Sequence, residues 1–233
     1  MAKSTDEMPV ASLIAVPALI ALAVTILRLV GELEHWSPEW FSTDTGGLVP
    51  SGMSWLIGIT WLAIPFGGYF GFRLAKSGLG PQNLLKAAIC VAAGVGILLI
   101  WTSKIIRPPN VGFPRSLIFI WLVMVVAAMI QLPGWPRLFK VLLAYGLASR
   151  IPVAIIMFLA MRGNWGTHYD YVGMPPEFEM PLAPKYFWLA FFPQTVFWVG
   201  FTIVIGSLSG VIAAALFRGL RRQSGVARLE PDA

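Results

Sequence analysis

Six apolar runs divide the chain, at about residues 9–30, 53–74, 87–106, 115–132, 138–161 and 187–217. Their lengths match the roughly 17–25 residues a helix needs to cross a bilayer, at a rise of about 1.5 Å per residue. The pattern predicts an all-α, polytopic integral membrane protein with six transmembrane helices in a single domain over residues 1–233. The last run is longer than one crossing needs, and Pro193 is read as separating an interfacial turn from the spanning part. The first run is too long for a signal-peptide core, and no small-residue cleavage motif follows it, so it is read as a retained helix. The polar stretches between the runs are short except for two, 31–52 and 162–186, which are rich in aromatic residues suited to a membrane interface.

Composition strengthens the membrane assignment. Of the 233 residues, 57% are hydrophobic and 12% charged, with a mean hydropathy of +0.75. A soluble domain carries about 25% charged residues. The net charge of +6 comes from cations that flank the runs, so it points to membrane orientation rather than nucleic acid. With both termini inside, the inner side holds Lys3, Arg73, Lys76, Lys86, Arg137, Lys140, Arg218, Arg221, Arg222 and Arg228. The outer side holds Arg28, Lys104, Arg107, Arg115, Arg162 and Lys185. Ten against six places both termini in the cytoplasm and the two long loops outside, although Lys104, Arg107 and Arg115 run against it locally. Short loops and the lack of a soluble domain suggest a bacterial cytoplasmic membrane. The single cysteine, Cys90, excludes an intrachain disulfide.

Arg150 is the one cation in the middle of a run, the others lying near run ends. It falls near the middle of the fifth, where a charge costs at least about 2.5–3.5 kcal/mol on insertion scales, and no acidic residue lies in any run to pair with it. One expectation is architectural: its guanidinium bonds carbonyls freed by Pro152, chiefly that of Ala148. The other is functional: it anchors an anionic ligand, or reaches Glu32 across a water-filled cavity. Arg28, Glu32 and His35 follow at spacings of four and three, which place them on one helix face if the helix continues past the membrane surface. Arg28 and Trp165 join Arg150 as candidate ligand-binding residues.

Both histidines, His35 and His168, lie in the two outer loops. So do seven acidic residues: Glu32, Glu34, Glu39, Asp44, Asp170, Glu177 and Glu179. Glu32, His35, His168 and Asp170 are therefore the candidate catalytic residues of an outer-surface site. His35, His168 and Glu32 carry a weak metal signal of nitrogen and oxygen donors without a fixed motif, and no metal is expected. The plainer alternative is loop polarity satisfied by water and by neighbouring groups. Two small-residue series, Gly67 with Gly71 and Gly206 with Gly210 and Ala214, mark faces where helices approach closely, within the chain or in a homodimer. Prolines 17, 65, 152 and 193 interrupt four runs, as in many transporters.

Several chemistries are excluded. The Gly206–Gly210 segment contains Ser209, but no histidine lies in any run to activate it. There is no Cys-x-x-Cys pair, phosphate loop or His-Glu-x-x-His motif. Three functions are expected, in this order: a non-catalytic accessory or assembly subunit of a membrane complex, docking on protein partners; a small dimeric transporter or binding protein for an anionic small molecule or lipid headgroup, using Arg150; and a membrane enzyme with an outer His/carboxylate site. No cofactor is assigned.

Overall fold

The computed structural model describes residues 9–43, 53–102, 115–171 and 179–226. Lys3, Asp44, Lys104, Arg107, Glu177 and Arg228, all weighed above, lie outside the described residues. Among the described residues the chain is helical and has no strand. The helices are α1 (Val10–Leu33), α2 (Ala63–Lys76), α3 (Leu84–Thr102), α4 (Arg115–Met129), α5 (Pro136–Gly163), α6 (Leu182–Tyr186) and α7 (Val199–Val226). Among the described residues, three helical runs are long and apolar enough to cross a membrane: Val10–Leu33, Pro136–Gly163 and Leu182–Arg221. Leu84–Ile100 and Leu117–Met129 are shorter apolar helices.

Two of the expected helices differ in form. The second run is helical only from Ala63. Before it, residues 53–59 fold as successive tight turns, with Leu56 N–H donating to Met53, Ile57 to Ser54 and Gly58 to Trp55, and a short 3-10 turn, Thr60–Leu62, leads into α2. The sixth run is not broken at Pro193. It continues through two widened π turns, Phe187–Phe191 and Pro193–Trp198, into α7. Pro193 has no N–H to give the Leu189 carbonyl four residues back. The Tyr171 hydroxyl, from the loop after α5, donates to that carbonyl at 2.6 Å. A partner from outside the helix thus lets the proline stay in a continuous run.

The packing centres on α7, which contacts α2, α3, α4 and α5. The contact with α2 is backbone to backbone. A methyl added at Gly67 would overlap Gly206, and one at Gly71 would overlap Gly210. The two glycine series therefore face each other inside the chain, running parallel in register, and are not available as a dimer face. Phe66, Phe70 and Tyr145 fill the adjoining space with edge-on ring contacts, centroids 5.4–5.5 Å apart between Tyr145 and each phenylalanine. On the outward faces large apolar side chains stay exposed, among them Val16 and Leu19 on α1 and Leu216 and Leu220 on α7, as suits helices surrounded by lipid.

The glycine contact leads to a direct test. Gly71→Val forces α2 away from Gly210 and should destabilise the fold by about 1–3 kcal/mol or more. Gly68→Ala, where nothing stands within 4 Å of the added methyl, should leave the unfolding temperature unchanged or slightly raised. Thermal unfolding of the two variants in detergent checks both.

Candidate functional site

The site forms where the end of α1, the loop after α5 and the widened turns before α7 meet. α1 ends in a reciprocal cap. His35 takes the left-handed conformation at φ 52° and its N–H donates to Glu32, while Trp36 N–H reaches back to Gly31 at 2.8 Å. This is the two-bond arrangement that usually calls for glycine. It turns His35 out to solvent, where it is exposed. Glu32 stays on the inward face of the last turn and is almost completely buried, at 1% exposure.

The Glu32 carboxylate is the meeting point of three groups. Arg28 donates its Nε at 2.9 Å from one turn earlier. The His168 backbone N–H donates at 2.9 Å, and the His168 ring approaches through Nδ1 at 2.6 Å from one oxygen and 2.8 Å from the other. The two long loop regions are thus joined through Glu32 and His168. The loop that carries His168 is fixed at several more points. Asp170 accepts from Gly166 N–H, Thr167 N–H and the Thr167 hydroxyl, closing a capping box over the short 3-10 turn at residues 168–170. Lys185 Nζ donates to the Asp170 carbonyl, and the Tyr169 hydroxyl donates to the Thr25 carbonyl on α1.

Loss of water around the imidazole holds His168 below its ordinary value of 6.5. The bond to Glu32 works against this shift, and the nearby Arg28 charge adds to it. With Nδ1 giving its proton to Glu32, the neutral ring carries its lone pair on Nε2. Burial also raises the Tyr169 phenol well above its usual range and pushes Tyr171 up to about 12, so both act as hydroxyl donors.

Beneath this lid lies a cavity of about 480 Å³. His168, Tyr169 and Arg28 line its outer end, and Arg150, Thr60 and Gln194 line it further in. Arg150 donates to the Gln194 side-chain oxygen at 3.3 Å and to the Thr60 hydroxyl at 3.1 Å, and its guanidinium lies 5.0 Å from the centre of the Trp198 ring. It therefore turns sideways toward the widened turns and the 3-10 turn. The expected bond to the Ala148 carbonyl is not made, and neither is the pairing with Glu32. Among the described residues no carboxylate pairs with Arg150.

The sequence candidates separate accordingly. Glu32, Arg28 and His168 come together, and Arg28, His168 and Arg150 share the cavity wall. Asp170 is consumed as the staple of its own loop. Trp165 lies over Gly163, partly exposed, and is not on the cavity. His35 points elsewhere, and among the described residues no three His, Cys, Asp or Glu side chains gather to hold a metal. Thr60, Gln194 and Trp198 were missed. The available signal was a single amide, Gln194, standing in an otherwise apolar run beside a proline.

Compared with protein-family models, curated proteins and solved structures, the chain matches none.

Two tests follow from the lid. The folded protein takes up the His168 proton less readily than the unfolded chain does. The resulting stability is fully present above about pH 6.5 and is lost as the pH falls through and below that value. The unfolding temperature should therefore drop between about pH 7.5 and pH 5, and His168→Gln should flatten part of that drop. Tyr171→Phe leaves the Leu189 carbonyl without its donor and should cost about 1–3 kcal/mol in denaturant unfolding, with the secondary structure unchanged.

Proposed function

We propose that the chain is a six-span protein of a bacterial cytoplasmic membrane, with both termini in the cytoplasm, and that its cavity binds an anionic group through Arg150. The cationic excess on the inner loops supports the orientation, and the three long apolar helices support insertion. The observation that carries the binding proposal is the charge balance around the cavity. Glu32 is engaged by Arg28 and by His168. Among the described residues Arg150 is met by neutral groups, the Thr60 hydroxyl, the Gln194 amide and the Trp198 ring face. The wall thus presents a guanidinium that no carboxylate pairs among the described residues. A guanidinium has five N–H donors, and two protein acceptors are engaged here. Phosphate or carboxylate oxygens are the natural complement for the rest.

The other two expectations draw less support. An accessory subunit would use exposed aromatic and apolar surface, but Trp36, Trp40 and the outward faces of α1 and α7 suit lipid and the interface equally well. For an enzyme, Glu32 and His168 form a base-like pair. The hydroxyls nearest it on the cavity wall are already committed, however, that of Thr25 to the Ala21 carbonyl and that of Tyr169 to Thr25.

Native mass spectrometry of protein extracted gently from its own membrane tests the proposal. The wild type should carry an anionic adduct of fixed mass. Arg150→Gln should lose at least tenfold in occupancy, about 1.4 kcal/mol, while unfolding at a similar temperature. An unchanged adduct in the variant would remove Arg150 from binding, and a protein partner at fixed stoichiometry would favour the subunit.

A further inference from the structure

The cavity wall changes character below Arg150. On the α7 side Trp198, Phe201 and Ile205 line it at spacings of three and four, one helical face descending over about 10 Å. On the opposite wall Thr60 is followed by Trp61 and Ile64. Below Thr60 the lining on both walls is apolar. The groove closes where Gly67 and Gly206 bring α2 and α7 into backbone contact, next to Ile205 and one turn past Ile64. Its side is open: Ile64 is 56% exposed and Trp61 38% exposed, both at the cavity edge. On the six-span reading proposed above, α2 crosses the membrane, so its exposed apolar flank faces hydrocarbon and this opening leads sideways into the bilayer rather than up into water.

We infer that the occupant is an anionic amphiphile of the bilayer, its phosphate on Arg150 and the first part of its chain along Trp198, Phe201 and Ile205, leaving past Ile64 into lipid. This rests on the anion-binding proposal above and adds the source of the anion and its route. Charge complementarity selects the headgroup. The apolar descent selects a chain, because a water-soluble anion would use Arg150 and leave the lower groove without a role. A phosphate here lies well below the level of the lipid headgroups, reached through the gap between α7 and the start of α2.

The test compares two radiolabelled probes, monododecyl phosphate and inorganic phosphate, binding to the full chain in nanodiscs of zwitterionic lipid. Monododecyl phosphate should bind at least tenfold more tightly than inorganic phosphate, and Arg150→Gln should weaken it at least tenfold. Ile64→Trp fills the side opening at an exposed position and so spares the core. It should lower dodecyl phosphate affinity at least tenfold more than phosphate affinity. Equal affinity for the two probes, or an Ile64→Trp variant that affects both alike, would overturn the lipid assignment and leave a soluble anion at Arg150. Binding of neither probe would overturn the lipid assignment together with the anion site on which it rests.

Discussion

A carboxylate with no access to water organises the outer half of this protein. Glu32 on its own would be costly at 1% exposure, and its burial is tolerable only because Arg28, the His168 ring and the His168 backbone N–H all point at it. One donor comes from the preceding turn of α1 and two from His168, 136 residues beyond Glu32 in sequence. Satisfying the charge therefore also fixes the loop after α5 against the end of α1. Once that loop is fixed, Tyr169 reaches Thr25 and Tyr171 reaches Leu189. The lid over the cavity and the continuity of the last spanning run both follow from one ionised group.

The glycine seam does the corresponding work for the inner half. Lipid offers no hydrophobic drive between helices, so close backbone approach is the available source of helix association. The pairs Gly67 with Gly206 and Gly71 with Gly210 supply it, and they also fix where the cavity must end. The two halves meet at Arg150, whose partners belong to the 3-10 turn before α2 and the widened turns before α7. Both are irregular stretches of backbone, and both line a cavity, where such irregularity is tolerated at membrane depth.

What the sequence made legible was whatever one helix decides alone. Arg28 and Glu32 at a spacing of four and the glycine series are local patterns, and the structure pairs the first and packs the second face to face. What it hid depended on another element arriving. Pro193 looked like a break because the missing donor was counted within its own run, whereas Tyr171 supplies it from a loop. His35 looked like a ligand because of its residue type, but the last turn of α1 places it in a left-handed cap facing water. Asp170 looked like an acid beside a histidine, yet its two neighbouring N–H groups and the Thr167 hydroxyl claim it first. Thr60 went unnoticed because a lone hydroxyl in an apolar run carries no signal until its partner is known, whereas the amide of Gln194 beside Pro193 was a signal without a partner to give it meaning.

The energetics of Arg150 separate architecture from function. On the six-span reading the charge would lie near mid-bilayer, at a cost of at least about 2.5–3.5 kcal/mol. Two hydrogen bonds to a charged donor at about 1.5–3 kcal/mol each, with about 0.5–2 kcal/mol from an aromatic face, are enough to offset that cost. The protein partners therefore make the arginine tolerable, but they gain nothing over an apolar residue packed in the same space. Neutral partners offset the cost and leave the charge itself uncompensated. A carboxylate would have neutralised it, and Glu32 is instead held by Arg28 and His168. The effect is to keep one positive charge on the wall of a cavity whose remaining surface is largely apolar.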